Sequence, residues 1–375
     1  MPTTLVDLQA LDPAVLTPIL RKAEGVDDLH VHAFTAEPLK HQGIFNPDGL
    51  FLVQGTLQAP YAQRRWSLVL KILREPEEHQ EPHDLFYWRR EALAAESELL
   101  IRLPGSLTAV RYIALTEAPG EAWIWMERVV ETTGRQWTMD HFALVAGGIG
   151  ELNGPYLTGT PLPASPWLLR DLARQWTETL PPANAWTDPY VQAHFSALLQ
   201  QRVMHLWSER TRFYAALAAL PQVFSHFDLQ RRNVMIRGDE IVALDWAWCG
   251  IGPVGGDLYS LIGSSCLLGE WDIARVIELE EATFTAYLGG LRRSGWNGDS
   301  RLVRLGYTAW MAVYFGLTCP TLVAYWMVPE RQADAGHLFG AGPDELSISW
   351  ATLCNHALDL ADEARDMMRE LGLNP

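Results

Sequence analysis

The stretch SHFDLQRRN (residues 225–233) and the stretch IVALDW (residues 241–246) decide the fold of this chain. Arg237-Gly238-Asp239 between them is a typical turn sequence, which predicts a β-hairpin. The second stretch is an apolar strand that ends in Asp245, and the first is a loop that carries Asp228 and Asn233. The hairpin therefore brings two carboxylates and one amide close together.

Carboxylate and amide oxygens are hard ligands that suit Mg²⁺, which takes few protein ligands and completes its shell with phosphate and water. Phosphoryl transfer uses such a metal, a carboxylate that orients the attacking hydroxyl, and a cation on the phosphates. Lys71 lies inside the apolar strand WSLVLKIL (residues 66–73), where it needs a carboxylate partner. The helix that follows offers Glu91 or Glu96.

The sequence resembles the aminoglycoside phosphotransferase family, the small-molecule branch of the protein-kinase-like enzymes. The matching motifs are His226-x-Asp228-x4-Asn233, then Asp245-Trp246, then the glycine-rich segment from Gly250 to Leu258, with Lys71 and Glu91 upstream in the expected order. The resemblance implies a bilobal protein-kinase-like fold of the α+β class. It also implies that Asp228 orients or deprotonates an acceptor hydroxyl, and that Asn233 and Asp245 hold Mg²⁺.

By the same resemblance, Lys71 binds the phosphates of ATP and Glu91 orients Lys71. Glu91 is preferred to Glu96 because it lies earlier on the helix. Backbone groups from Glu127 to Val129 are expected to bind adenine at the junction between the lobes. Two features depart from the family pattern. Phe227 stands where glycine or another small or polar residue is commoner, and residues 40–49 are only a loose counterpart of a glycine-rich phosphate loop.

The chain divides by hydrophobic pattern into two predicted domains. Residues 1–130 form an N-terminal nucleotide-binding lobe, and residues 131–375 form a C-terminal helical lobe with the catalytic hairpin at 224–248 and helices that bind the acceptor. The predicted strands are His30–Phe34, Leu50–Leu57, Trp66–Leu73 and Trp123–Val130. The predicted helices include Asp12–Gly25, Leu85–Leu103, Thr138–Asn153, Asp188–Leu220 and Pro343–Leu371.

Composition and charge limit the classes of partner. The chain has 375 residues and a net charge of -16, which argues against a nucleic-acid partner. The acidic balance is compatible with a cationic acceptor but does not select one. Four widely spaced cysteines predict reduced thiols in a cytoplasmic protein, and no signal peptide is recognisable. The uncharged segment Tyr307–Val328 is interpreted as two buried helices separated at Pro320 and not as a membrane span.

The predicted function is transfer of the γ-phosphoryl group of ATP, with GTP as the alternative donor, to a hydroxyl of a small molecule. Two other functions remain open at this stage: a non-catalytic pseudokinase that binds nucleotide as a scaffold, and a kinase that acts on a peptide serine or threonine. Among the 16 tryptophans, Trp310, Trp326 and Trp350 could form an aromatic cage for a cationic acceptor. Tryptophans in helical regions more often fill the core.

Overall fold

The computed structural model of the protein describes residues 3–39, 49–59, 62–78, 81–134 and 136–373. Its strands are β1 (Val31–Pro38), β2 (Leu50–Ala59), β3 (Ala62–Arg74), β4 (Leu107–Ala109), β5 (Tyr112–Ala118), β6 (Glu121–Glu127), β7 (Gln222–Ser225), β8 (Val234–Arg237), β9 (Glu240–Ala243) and β10 (Gly250–Pro253). Its helices are α1 (Leu5–Gln9), α2 (Leu16–Glu24), α3 (Arg90–Glu96), α4 (Met139–Leu157), α5 (Leu172–Thr179), α6 (Pro189–His194), α7 (Ala197–Ala219), α8 (Ser265–Leu267), α9 (Val276–Arg293), α10 (Ser300–Met311), α11 (Leu317–Trp326), α12 (Pro329–Phe339) and α13 (Pro343–Glu370). The class is α+β, as predicted.

The N-terminal part of the described chain is built on one antiparallel sheet in the order β1-β2-β3-β6-β5. The apolar sequence of β3 places this strand at the centre, where Lys71 lies in register with Leu50 of β2 and Ile124 of β6. The predicted first helix is confirmed: Asp12 caps a short 3₁₀ turn that leads into α2, and Gly25 ends α2 with a φ of 67°. A central position in the sheet holds Lys71 rigidly.

Two predictions for this part are wrong. The helix expected over Leu85–Leu103 is only the seven-residue α3, because the extended backbone of Ser97 (ψ of 150°) ends it before a short 3₁₀ turn. The strand expected to reach Val130 ends at Glu127, and the sequence interpretation missed β4 and β5. β4 is not part of the N-terminal sheet, because it pairs in parallel with β9.

The predicted hairpin is present as β8 and β9, which turn at Gly238 with a φ of 63°. β7 pairs separately with β10. The loop at residues 226–233 therefore runs from β7 to β8, and Asp245 follows the end of β9. Asp245, after the end of β9, contacts Lys71 of β3.

The rest of the chain is mainly helical, and its closest helix pair is α4 with α9. Gly150 and Gly290 allow this approach, since a Cβ at Gly150 would lie 2.2 Å from the Tyr287 carbonyl oxygen and a Cβ at Gly290 would lie 2.1 Å from the Gly147 carbonyl oxygen. The helix predicted over Asp188–Leu220 is two helices, α6 and α7, because Ser196 adopts a non-helical ψ of 158° and caps α7. α13 is unbroken.

The segment Tyr307–Val328 is largely buried, as predicted, but the proposed break at Pro320 is wrong. Pro320 lies inside α11, and the irregularity is the π-helical segment Ala312–Gly316 directly before α11. No single described helix has the length and hydropathy to cross a bilayer. One pair passes that test together, Ser300–Trp326 with Pro329–Phe339, and it is bent by 117°. The division at residue 130 stays a prediction.

Candidate active site

The loop after β7 is held in an unusual backbone conformation. Phe227 has a φ of 65°, which is a left-handed conformation that a bulky side chain rarely adopts. Three contacts fix it: its N–H donates to Asp257 Oδ1 (2.7 Å), its carbonyl oxygen accepts from the Tyr259 hydroxyl (2.5 Å), and its buried ring stacks on Trp310. The strained turn directs the next residue, Asp228, away from the core.

His226 connects this loop to the end of β9. Its Nε2 lies 2.9 Å from the Leu244 carbonyl oxygen, and its Nδ1 accepts from the Asp228 N–H at 3.2 Å. These two contacts require a neutral ring with the proton on Nε2. Burial lowers the pKa of His226 to about 4, which keeps the ring neutral. His226 therefore has a structural role, and it connects the loop of Asp228 to the loop of Asp245.

The carboxylate of Asp228 is held by two amides from its own loop. Asn233 Nδ2 donates to Asp228 Oδ2 at 2.6 Å, and Gln230 Nε2 lies 3.1 Å and 3.3 Å from the two carboxylate oxygens. Burial raises the pKa of Asp228 to about 8, and the charge of Asp245 adds to this shift, although the two amides oppose it. A raised pKa makes the ionised carboxylate a stronger proton acceptor, but a pKa of about 8 also leaves most of the group protonated at pH 7.

Lys71, Glu91 and Asp245 form a compact group beside this loop. Lys71 Nζ lies 2.5 Å from Glu91 Oε2 and 2.9 Å from Asp245 Oδ1. Glu91 is almost fully buried, with 1% of its surface exposed, and also accepts from the Tyr112 hydroxyl at 3.2 Å. Burial alone would lower the pKa of Lys71, but the charges of Asp245 and Glu91 raise it above its ordinary value. Glu96, the other candidate partner, is exposed, so the structure favours Glu91.

Asp245 is the most accessible member of this group. It follows β9 with a φ of 57°, a second left-handed residue of the site, and its side chain is 39% exposed. Burial works against ionisation, but the Lys71 ammonium outweighs it and holds the pKa of Asp245 below its usual range. Asp245 thus offers an ionised carboxylate, with one oxygen on Lys71, to a ligand on its exposed side.

Glu127 and Val129, the two residues predicted to bind adenine, differ in their hydrogen bonds. The Glu127 N–H donates to the Arg111 carbonyl oxygen, and its carboxylate binds the Arg111 N–H and lies 3.4 Å from Arg237. The backbone of Val129 has no hydrogen-bond partner among the described residues. Val129 also packs at the edge of an apolar cluster that contains Val69 and Val242. Val129 is therefore the freer of the two to bind a planar base.

Three functional candidates were missed or undervalued in the sequence. Gln230 contacts the Asp228 carboxylate directly, and Asp257 accepts from the backbone of His226 and Phe227. Arg231 pairs with Glu131 at 2.7 Å and so ties the loop to the linker between the two parts. In the sequence, the only sign of a role for Gln230 and Arg231 is that they lie between Asp228 and Asn233. The contact of Asp257 depends on the fold and could not be predicted.

The aromatic-cage hypothesis is not supported by the positions of the three tryptophans. Trp310 is buried beneath Phe227 and Tyr259, whereas Trp326 and Trp350 both pack against Phe339. Trp310 and Trp350 are therefore core residues, and Trp326 is a partly buried residue packed against the core. Residues 40–48, which include most of the loose phosphate-loop counterpart, lie outside the described residues.

A lysine on a central strand, a buried glutamate on the next helix and two loops with Asp228 and Asp245 define a phosphotransferase of the kinase-like class. The model of the phosphotransferase enzyme family matches residues 62–296, and the chain belongs to that family. Its fold is similar to that of choline kinase from Cryptosporidium parvum Iowa II (TM-score 0.53, 14% identity, covering 97% of this chain and 98% of that one). It is also similar to that of a microcompartment-associated aminopropanol kinase (TM-score 0.50, 13% identity, covering 94% and 98%). A comparison with curated proteins finds no match.

Proposed function

We propose that the protein transfers the γ-phosphoryl group of ATP to a hydroxyl of a small molecule. The observation that carries this proposal is the contact of Lys71 with both Glu91 and Asp245, from three separate elements, next to the loop of Asp228. Such a group places a cation where phosphates bind and a carboxylate where a hydroxyl attacks. In this proposal residues 1–130 form the nucleotide-binding lobe and residues 131–375 the acceptor-binding lobe.

The nucleotide would lie between β3 and the hairpin. Half-buried apolar side chains gather there around Val69, contributed by Leu50, Val129, Met235 and Leu244. A planar base fits between such side chains, and the unpaired backbone of Val129 offers it a donor and an acceptor. Lys71 would then bind the phosphates, with Glu91 holding its ammonium group in place.

The oxygen donors beside the cleft suit a Mg²⁺ ion that is shared with a triphosphate. No group of three or more His, Cys, Asp or Glu side chains in the described part of the chain forms a cage for a metal. Asp245 and the amide oxygen of Asn233 supply two hard ligands, which matches a Mg²⁺ ion that takes its remaining ligands from phosphate and water. When bound, this ion would neutralise charge on the β- and γ-phosphates.

Asp228 is the proposed base. Its amide neighbours, Gln230 and Asn233, fix the orientation of its carboxylate, so that one oxygen can accept a proton from the acceptor hydroxyl. Alignment and charge stabilisation by Lys71 and Asp245 would supply most of the rate enhancement. The negative charge of the chain is compatible with a cationic acceptor but does not select one.

The experiment is an acceptor screen with ATP or GTP in the presence of Mg²⁺. The panel contains amino alcohols, aminoglycosides, nucleosides, sugars and a serine/threonine peptide library, and phosphorylated products are detected by mass spectrometry. Asp228→Asn serves as the matched control, since it keeps the shape of the site but removes the base. It should bind nucleotide as the wild type does, with turnover lower by about 10²- to 10⁴-fold.

Three outcomes would contradict the proposal. Stabilisation by nucleotide with no product from any acceptor would favour the pseudokinase, because a bound ligand raises the melting temperature without any chemistry. Phosphorylated peptides alone would favour a protein kinase. Equal turnover by wild type and Asp228→Asn would remove Asp228 from the mechanism.

A further inference from the structure

Arg90, the first residue of α3, carries a buried positive charge that forms no ion pair with a carboxylate among the described residues. Only 1% of its surface is exposed. Every hydrogen bond that the structure gives to its guanidinium ends on a backbone carbonyl oxygen. These acceptors and their distances are Trp167 (2.7 Å), Leu85 (3.1 Å), Ala247 (3.0 Å), Pro82 (3.4 Å) and Asp84 (2.5 Å).

This arrangement is costly, and it depends on a guanidinium. Burial lowers the pKa of Arg90 to about 10, which reflects the penalty for keeping a cation away from water. Five N–H donors in one rigid plane can satisfy acceptors from several directions at once, whereas a lysine has three donors on a single atom. A core residue that served only to fill space would avoid this penalty, since apolar side chains of similar volume do so at lower cost.

The acceptors come from three separate parts of the chain. Residues 82–85 form the loop before α3, Trp167 lies in the segment between α4 and α5, and Ala247 lies two residues after Asp245. Glu91, which binds Lys71, is the next residue along α3. The Arg90 guanidinium thus connects α3, which carries Glu91, to the loop that carries Asp245. Arg90 and its acceptor Ala247 are 157 residues apart in the sequence.

We propose that Arg90 is a positioning residue that fixes α3 and the Asp245 loop relative to each other, and thereby sets the geometry of the nucleotide and metal site. This inference rests on the proposed function for its kinetic consequences. The Arg90 guanidinium makes no hydrogen bond or ion pair with the side chains of Lys71, Glu91 or Asp228, so it acts through the backbone that it holds. α3 contributes Glu91 from a helix of only seven residues, which has little packing surface of its own.

Arg90→Lys and Arg90→Met test this proposal, with Arg89→Met as the matched control. Arg89 precedes Arg90 in the chain, but its side chain pairs with Glu117 of β5 within the N-terminal part. In Arg90→Met, we expect the KM for ATP and the Mg²⁺ concentration for half-maximal rate to rise, and kcat/KM to fall by about 10- to 100-fold. Arg90→Lys should recover part of this loss. Arg89→Met should leave all three parameters within about twofold of the wild type.

Hydrogen exchange on the nucleotide-free proteins gives a readout that does not require activity. The amides of Glu91–Ala95 and of Trp246–Trp248 should lose protection together in Arg90→Lys, and in Arg90→Met where it folds, while the amides of α13 keep theirs. The proposal is overturned if protection in the two segments is unchanged in Arg90→Lys, or if the Arg90 variants melt at lower temperature with unaltered KM and Mg²⁺ dependence. A wild type that neither binds nucleotide nor transfers phosphate would end the proposed function, while the exchange data would still decide whether Arg90 couples the two segments.

Discussion

Replacing Glu91 with glutamine, beside a Glu96→Gln control on the same helix, tests the charge arrangement around Lys71 most directly. Both changes remove one negative charge from α3 and keep the side-chain shape. Glu91 is buried and lies 2.5 Å from Lys71 Nζ, whereas Glu96 is exposed. The two variants therefore differ in the environment of the carboxylate and in little else.

The magnitude follows from these contacts. Removing one member of a buried ion pair costs about 3–5 kcal/mol, and a hydrogen bond to a charged group contributes about 1.5–3 kcal/mol. Glutamine keeps an oxygen that can accept from Lys71, and Asp245 still neutralises the ammonium group. We therefore expect a loss of about 2–3 kcal/mol for Glu91→Gln, equivalent to a fall in melting temperature of roughly 2–4 °C for a chain of 375 residues. For the exposed Glu96→Gln, the change should be within about 0.5 kcal/mol.

The assays are thermal unfolding with and without nucleotide, and steady-state kinetics with ATP. In Glu91→Gln, Asp245 is the only one of the two carboxylates left beside the Lys71 ammonium group, so kcat/KM for ATP should fall by about 10- to 100-fold. Tyr112→Phe removes only the hydrogen bond to Glu91 Oε1 and should cost about 1.5–3 kcal/mol. Equal behaviour of Glu91→Gln and Glu96→Gln in both assays would refute the reasoning, as would a larger effect at Glu96.

Three further predictions concern the metal, the strained loop and a buried glutamate in the helical part. Asp245→Asn should raise the Mg²⁺ concentration for half-maximal rate by about tenfold or more, and an unchanged Mg²⁺ dependence would exclude Asp245 as a ligand. Phe227→Ala and Phe227→Gly should each lower the free energy of unfolding by about 3–5 kcal/mol because the ring is lost. The glycine variant should be more stable than the alanine variant by about 1 kcal/mol, because glycine adopts the φ of 65° without strain. The opposite order of stability in urea titrations would mean that the backbone is not strained. Burial would raise the pKa of Glu280, but its contacts with His356, Tyr307 and Arg304 outweigh this and hold the pKa below its usual range. The stabilisation of the fold by ionised Glu280 is therefore complete above about pH 4.5 and is lost as the pH falls through the pKa of Glu280 in the folded protein. The difference in free energy of unfolding between wild type and Glu280→Gln should therefore become smaller on acidification. A larger difference at low pH would contradict this prediction.

Local sequence patterns were sufficient for the central strand, the hairpin and the order of the site residues. WSLVLKIL could only be a buried strand, and a lysine within it required a partner. The distance from Asp228 to Asn233 along one loop is short enough that their contact at 2.6 Å follows from local geometry. The pairing of Lys71 with Glu91 could be proposed, but the choice against Glu96 needed the orientation of α3.

Long-range packing explains most of what the sequence did not predict. α3 is short because Ser97 leaves the helical conformation, and no strong helix breaker marks that position. β4 pairs with β9 across 134 residues, as Leu107 lies beside Ile241, so its strand character comes from its partner. The contacts of Arg90 are of the same kind, because an arginine next to Glu91 on a helix ordinarily indicates a solvated face.

Phe227 illustrates why a departure from a family pattern need not weaken a site. Glycine adopts a φ of 65° at no steric cost, whereas phenylalanine in this conformation costs about 1–2 kcal/mol. Its buried ring offsets that cost by stacking on Trp310 and by filling the space above Gly252, where a Cβ would lie 2.5 Å from the ring. The hydrogen bonds to Asp257 and Tyr259 keep the turn from relaxing. A glycine at this position would adopt the turn because its backbone is unrestricted. In this chain the packing of the Phe227 ring stabilises the turn, and the same packing restricts the orientation of Asp228.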